Sequence, residues 1–129
     1  VAQRLITGDY TPLLQSREAF AAECYALMQS RCYRPKAIVE YDRKAFIAKE
    51  NKIRVTFDSR IVATESSFDL FDERLNMAPV LAPGAVVMEV KYNGFLLDYI
   101  RRMINTVDQS ELSVSKYMLA RQNGYRYRL

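Results

Sequence analysis

The sequence predicts an α+β fold, in which an antiparallel sheet of about four strands is accompanied by helices. Two patterns indicate this class. Apolar residues recur at helical spacing near residues 18–31 and again near residues 95–106. Between these segments, from Lys36 to Tyr92, the period changes to two, which is typical of strands with one buried face. The chain has 129 residues, half of them hydrophobic, so we expect a single domain over residues 1–129.

The N-terminal part predicts one helix after an irregular segment. Residues 1–15 contain glycine and proline and favour irregular structure. A helix is expected from an N-cap at Ser16 to about Arg31, and Pro35 stops it because proline lacks an N–H and disfavours a helical residue before it. Its apolar face would consist of Phe20, Cys24, Leu27 and Met28.

The middle of the chain predicts the strands. KAIVEYDR and IRVTFD both alternate, RIVATE resembles a hairpin partner of IRVTFD, and VVMEVKY follows a loop from Pro79 to Gly84. The stretch SSFDLFDERLNMAP, between the third and fourth of these segments, is ambiguous between a short strand and a turn.

The C-terminal part predicts two further helices. FLLDYIRRMINT carries an apolar helical face made of Phe95, Leu96, Tyr99, Ile100, Met103 and Ile104. The last helix is expected from Ser113 or Ser115 to about Arg121, with Asn123-Gly124 as its stop signal.

Composition excludes several kinds of chemistry. The chain has no histidine, which rules out imidazole catalysis and the usual zinc sites. Cys24 and Cys32 lie too far apart along one helix for a disulfide, so we expect reduced thiols, a small core side chain at Cys24 and a cytoplasmic location. No apolar run is long enough to span a bilayer. The net charge of +4 suits an anionic ligand.

Charged side chains are expected to collect on one face of the sheet. Alternation places Arg54, Thr56 and Asp58 together on one strand and Glu89 and Lys91 together on another. Tyr41 and Arg43 also share a face of their strand. Two interpretations remain open: the charged face meets water, as in many antiparallel sheets, or it is the inner wall of a barrel or groove that holds a polyanion.

Four segments in order, VEYDRKAF, NKIRVTFDS, VMEVKY and SVSKYMLARQ, resemble the motif series of the VTC domain, the polyphosphate polymerase domain of vacuolar transporter chaperone proteins and their bacterial relatives. The motif-bearing core covers residues 36–121. The resemblance implies the triphosphate tunnel (CYTH-like) fold, so that the antiparallel sheet would form part of a basic barrel with helices packed on its apolar outer face. It also implies nucleoside triphosphate and polyphosphate as ligands, with Mn²⁺ or Mg²⁺ as the cofactor.

The resemblance further implies roles for individual residues. Tyr41 and Arg43 of Y-x-R-x-x-F and Arg54 of R-V-T would contact phosphate, and Glu89 of E-V-K would hold the metal beside Lys91. Ser115 and Lys116 of S-K-Y would close over the phosphates, while Phe46 would belong to the core. The implied catalytic set is Arg43, Arg54, Lys91 and Lys116. The alternatives are ordinary salt bridges for the cations, a plain N-cap for Ser115, and either a turn or a ligand role for Asp58.

The predicted activity is ATP-dependent polyphosphate synthesis, with phosphoryl groups transferred to a growing chain. Because about four strands cannot close a polar barrel, the chain is expected to be the C-terminal portion of a tunnel domain and weak or inactive alone. Three explanations stay open: a truncated chain, a half-size protein completed by a partner, or a homodimer.

The rival functions are a non-enzymatic polyanion-binding or regulatory module and another tunnel activity such as a triphosphatase. Nucleic-acid binding is not expected, and a membrane-associated parent protein is compatible with the sequence.

Overall fold

The structure, a computed structural model, describes residues 1–107 and 114–126, without the side chains of residues 123–126. The chain divides into two compact units. The first consists of Val1–Ile38 and Thr64–Met77, and the second of Val39–Ala63 and Ala78–Leu129. Within the described ranges, no helix has both the length and the apolar character needed to cross a membrane. The prediction that the chain is the C-terminal portion of a larger domain stays a prediction.

The first unit is more helical than the sequence predicted. Helix α1 covers Ala2–Ile6, and a 3₁₀ helix covers Thr11–Gln15. The expectation of an irregular N-terminal segment is therefore wrong for these residues. Proline is compatible with the 3₁₀ helix because Pro12 lies in its first turn, where the missing N–H would have no helical partner.

Helix α2 covers Ala19–Ser30, close to the predicted bounds, but its cap and its burial differ from the prediction. The N-cap is Glu18, and the Ser16 hydroxyl accepts a hydrogen bond from the Glu18 N–H at 3.2 Å just before the helix. No residue of α2 is buried, and Phe20 is 73% exposed, so the predicted burial of its apolar face is wrong. Cys24 is half-buried rather than a core residue, and both Cys24 and Cys32 are free thiols, as expected.

Tyr10 is a buried residue of the first unit that contacts the segment after α2. Its side chain is 2% exposed, and its hydroxyl donates a hydrogen bond to the carbonyl of Tyr33. The guanidinium carbon of Arg34 lies 5.4 Å from the centre of the Tyr10 ring. These contacts join the 3₁₀ helix to the segment that follows α2.

The second unit contains a four-stranded sheet. Its strands are β1 (Ile38–Ala48), β2 (Ile53–Thr64), β3 (Ala78–Pro79) and β4 (Val86–Lys91). Strand β2 is central and pairs with each of the others, and its pairing with β3 and β4 is antiparallel. The antiparallel α+β class is therefore confirmed. The sheet is not closed into a barrel.

Strand β2 corrects the predicted hairpin. IRVTFD and RIVATE are not partners, because together they form one long strand. At their junction Arg60 adopts a φ of 51°, in the left-handed region. Pairing with β4 ends at Ser59, and pairing with β3 begins at Val62. Arg60 thus interrupts the ladder locally, where the sequence pattern indicated a reversal of the chain.

The C-terminal helices are α3 (Asp98–Ile104) and α4 (Lys116–Arg126). Helix α3 is shorter than predicted, and of its apolar face Ile100 is buried while Met103 is 67% exposed. Helix α4 continues through Asn123-Gly124, so the predicted stop signal is wrong; a glycine weakens a helix without forbidding it. Ser113, one of the predicted starts, lies outside the described residues.

The expectation that helices pack on the apolar outer face of the sheet is not met at two points. Phe46, predicted to be a core residue, is 60% exposed, although its ring makes an edge-to-face contact with Phe57 at 5.9 Å. Helix α4 instead meets the polar face, where the Lys116 ammonium bonds the Asp58 carboxylate. Because Lys116 is the first residue of α4, this ion pair holds the start of the helix against the charged side chains.

Candidate functional site

The register of β2 and β4 defines a polar face. Arg54 lies opposite Lys91, Thr56 opposite Glu89, and Asp58 opposite Val87. Directly opposed residues of an antiparallel pair point to the same side of the sheet. The register therefore agrees with the predicted grouping of charged residues, and we call these side chains, together with Tyr41 and Arg43 of β1, the polar face.

Asp58 is the buried centre of the polar face. Its side chain is fully buried, and its carboxylate accepts hydrogen bonds from Arg43 Nε at 2.6 Å and Arg43 Nη2 at 2.8 Å. Lys116 Nζ lies 2.6 Å from Oδ2 of the same carboxylate. A buried carboxylate is stable only when it is paired in this way. Asp58 therefore joins β1 and α4 to the central strand.

These contacts change the protonation behaviour of both partners. The hydrogen bonds from Arg43, followed by those from Lys116, lower the pKa of Asp58 to about 2, although burial acts in the opposite direction. The same hydrogen bond raises the pKa of Arg43 further above its ordinary value. At neutral pH Asp58 and Arg43 are therefore both charged.

The Tyr41 ring lies close to both cations that bind Asp58. The guanidinium carbon of Arg43 is 5.1 Å from the centre of the Tyr41 ring, and the ammonium of Lys116 is 5.0 Å away. Both distances are within the range of cation–π attraction. The ring and the carboxylate together fix the positions of Arg43 and Lys116, which leaves the other N–H groups of the Arg43 fork for an external anion.

Glu89 and Lys91 form the second ion pair of the polar face, with 3.0 Å between Oε1 and Nζ. The hydrogen bond from Lys91 lowers the pKa of Glu89, and the positive charges of Lys116 and Arg43 add to this effect. Among the described residues no three acidic or cysteine side chains form a group that could hold a metal ion. Glu89 fits a divalent metal only as a single carboxylate ligand whose partners include phosphate oxygens, an arrangement that Mg²⁺ accepts.

Within residues 1–107 and 114–126, the other cations of the polar face each pair with a carboxylate, and Arg54 does not. It is exposed and lies directly opposite Lys91. Like charges in opposed positions of a sheet repel each other. An anion bound between the two side chains would remove this repulsion.

Thr56 has an unusual environment. Its side chain is 2% exposed, yet its hydroxyl has no hydrogen-bond partner among the described residues. A buried hydroxyl without a partner is destabilising. Thr56 lies on the polar face between Arg54 and Asp58, and its hydroxyl is closed off from the surface.

Comparison with known proteins identifies the family of the chain. The family model of the VTC domain matches residues 2–124, which is nearly the whole chain. The chain belongs to the VTC domain family. The match also covers residues 2–35, for which the motif series gave no sign of the family. No curated protein and no solved structure matches at a significant level.

In this VTC domain, Ser115 lies apart from the cluster of charged contacts. Its hydroxyl accepts a hydrogen bond from the Met118 N–H at 3.4 Å, the contact of an N-cap. Because an N-cap hydroxyl keeps its own proton, this contact is compatible with a phosphate role and gives no support for one. The structure places Arg43 and Lys116 beside the Tyr41 ring. Further along the polar face lie Arg54 on β2 and Glu89 and Lys91 on β4.

The structural importance of two residues of the VTC domain site was not recognised from the sequence. Asp58 was left open as a turn residue or a ligand, and the structure makes it the fully buried partner of two cations. Thr56 was given no role. The signal for both was the alternation that placed them on the same face as Arg54, but one of the cations that pairs with Asp58, Lys116, lies on a helix that begins about sixty residues later in the chain.

Proposed function

We propose that this VTC domain binds polyphosphate and nucleoside triphosphate along the polar face, and that these ligands exchange a phosphoryl group there. The observation that carries the proposal is the gathering of Arg43, Arg54, Lys91 and Lys116 on one face, together with Tyr41. A linear polyanion needs cations at intervals along a groove, and the alternate residues of a strand supply that spacing.

In the proposed reaction, the bond between the terminal phosphorus of ATP and its bridging oxygen breaks, and the oxygen leaves with ADP. An anionic oxygen at the end of the polyphosphate forms the new bond to that phosphorus, so no proton has to be removed. Catalysis of this kind depends mainly on positioning and charge stabilisation. Arg54 and Lys91 would orient the phosphates, and Arg43 and Lys116, held by Asp58, would stabilise the charge that spreads over the transferred group.

A divalent metal, Mn²⁺ or Mg²⁺, would supply charge neutralisation between adjacent phosphates when it is bound. Glu89 is the residue proposed to hold it. Lys91 forms an ion pair with Glu89, so the metal and the phosphates are expected to bind together, with Lys91 turning to a phosphate oxygen.

The polar face contacts a ligand from one side only, because the sheet is open. We therefore expect weak binding and little or no turnover from these residues alone. The complementary wall would come from further strands of a longer chain, from a partner, or from a second copy. A membrane-associated parent protein and a cytoplasmic location remain part of this proposal.

A second candidate is a non-enzymatic module that binds polyanions. The observation in its favour is that both carboxylates of the polar face are already neutralised by cations, which leaves no vacant acidic cluster for a metal in the described part of the chain.

Arg54→Gln is the variant that tests phosphate binding most cleanly. Arg54 is exposed and has no ion pair to lose, so its replacement should leave the fold intact. We expect the affinity for tripolyphosphate, measured by titration calorimetry, to fall about tenfold or more, the usual effect of losing a charge-assisted hydrogen bond. Arg17→Gln removes an exposed arginine from the other unit and is the matched control. Equal affinities for the two variants would contradict the proposed site.

Glu89→Gln separates the enzymatic candidate from the binding module. If Glu89 holds the metal, the variant should lose the increase in tripolyphosphate affinity that Mn²⁺ produces in the wild type. The measurement is the same titration with and without Mn²⁺. Tighter binding by the variant in the presence of Mn²⁺ would refute the metal role, because it would mean that the carboxylate only repels the ligand.

A further inference from the structure

A cleft of about 450 Å³ opens beside the turn between β1 and β2. Its lining residues are Ile47, Ala48, Lys49, Lys52, Arg54 and Lys91. The volume lies within the range of about 300–1,000 Å³ that is usual for small-ligand sites. Four of the six lining residues are cations and none is acidic, so the cleft concentrates positive charge.

Most of this charge is not neutralised within the chain. In the described ranges, no carboxylate forms an ion pair with Lys49, Lys52 or Arg54. Lys91 reaches Glu89, which is absent from the lining of the cleft. Cations held close together without counter-charges are unfavourable in an empty cleft, and a multiply charged anion would remove that penalty.

The turn that carries two of the lysines is held in place. Asn51 and Lys52 have φ angles of 51° and 49°, an unusual pair of left-handed residues. The Asn51 side-chain amide donates a hydrogen bond to the Phe95 carbonyl at 2.9 Å, and the Asn51 carbonyl accepts one from the Asn93 N–H at 2.8 Å. These contacts fasten the turn to the loop after β4, so the backbone that carries the lysines is held without a ligand.

We propose that this cleft is a second anion site, which binds the phosphates of a linear polyphosphate that extend past the polar face. The inference rests on the proposed function, since it assumes that the polar face binds phosphate. Arg54 and Lys91 belong to both sites and connect them. Lys49 and Lys52 are the residues that the cleft adds.

The proposal gives the domain a preference for long chains. Arg54 and Asp58 are four residues apart on β2, a separation of about 13 Å at about 3.3 Å per residue. Tripolyphosphate is shorter than the distance from the Asp58 cluster to the lysines beyond Arg54. A long polyphosphate can contact the polar face and the cleft at the same time, and the second contact then costs little additional entropy.

The test compares tripolyphosphate with long-chain polyphosphate by calorimetric titration of the full 129-residue chain. The cleft variant is Lys49→Gln with Lys52→Gln, which removes two charges while keeping polar side chains of similar length. The control variant, Lys36→Gln with Lys44→Gln, removes the same charge from two exposed residues that do not line the cleft. Melting temperatures of all three proteins verify that they are folded.

We expect the wild type to prefer the long chain. The cleft variant should lose about tenfold or more of its affinity for the long chain and a smaller factor for tripolyphosphate, whereas the control should lose little of either. If the wild type binds tripolyphosphate but the cleft variant keeps the full preference for the long chain, the second site is refuted and the proposed function stands. An equal loss in the control also refutes the second site, because net charge alone would then explain the effect. If the wild type binds neither ligand, the proposed function fails, and this inference fails with it.

Discussion

Asp58 shows how a single buried charge can organise a site. Its carboxylate has no exposure to water and binds two cations that come from β1 and α4. Removing the carboxylate would leave Arg43 and Lys116 close to the Tyr41 ring but without the carboxylate that bonds both of them. The residue that positions the proposed phosphate-binding cations is therefore itself an anion.

The lowered pKa of Asp58 predicts a loss of stability in acid. Its pKa falls from 3.8 in the unfolded chain to about 2 in the folded chain, so the folded state binds the proton more weakly. The stabilisation is complete above pH 3.8 and is lost as the pH falls towards about 2. Urea unfolding measured across this range should show the free energy of unfolding decreasing. Asp58→Asn should show a smaller decrease, since Glu89 also has a lowered pKa and contributes in the same direction; an unchanged pH profile in the variant would assign the whole effect to other carboxyl groups.

Thr56→Val should separate stability from binding. Removing a buried hydroxyl that has no partner should raise the free energy of unfolding by about 1 kcal/mol, while tripolyphosphate binding should stay unchanged because a hydroxyl closed off from the surface does not reach the ligand. Thr64→Val is the matched control, because the Thr64 hydroxyl is buried and hydrogen-bonded to Ser66, so its loss should lower stability. Chemical denaturation and calorimetry measure the two quantities. A destabilised Thr56→Val would mean that the hydroxyl has a structural partner.

At the scale of elements, β2 determines the layout of the second unit. It pairs with every other strand, and its alternate residues supply Arg54, Thr56 and Asp58 to one face. Arg60 adopts a left-handed conformation between the stretches that pair with β4 and β3. The exposed ion pair between Arg60 and Asp42 adds little to stability.

The backbone conformation at Arg60 can be tested with a pair of variants. Arg60→Gly should be at least about 1 kcal/mol more stable than Arg60→Val, because glycine tolerates a positive φ and a β-branched residue does not. Both variants lose the ion pair with Asp42, so that contribution cancels. Denaturant unfolding gives the difference. Equal stabilities would show that this residue is not left-handed in solution.

The elements also show what the sequence could predict. Alternation was enough to group Arg54, Thr56 and Asp58 and to place Glu89 with Lys91, because side-chain direction in a strand is a local property. The continuity of β2 was not predictable, since IRVTFD and RIVATE resemble hairpin partners and the strand is extended through its pairing with β1, β3 and β4, which is tertiary structure. The contact of α4 with the polar face was missed because Lys116 finds Asp58 through tertiary structure.

At the scale of the whole molecule, the open sheet limits what the site can do. The polar face and the cleft form one wall, and phosphates bound there would stay partly hydrated, which weakens each ionic contact. The other face of the sheet leaves Phe46 and Val86 more than half exposed. A complete tunnel would need additional strands opposite the polar face, and the three sources left open by the sequence remain the explanations to distinguish.

The most direct test of the central claim is a two-dimensional NMR titration of the chain with tripolyphosphate, which locates the ligand. The account predicts that the largest shifts occur at the amides of Arg54, Thr56, Glu89 and Lys91, with smaller changes in the first unit. Shifts confined to the first unit, or the absence of shifts at saturating ligand, would contradict the claim that the polar face binds phosphate chains.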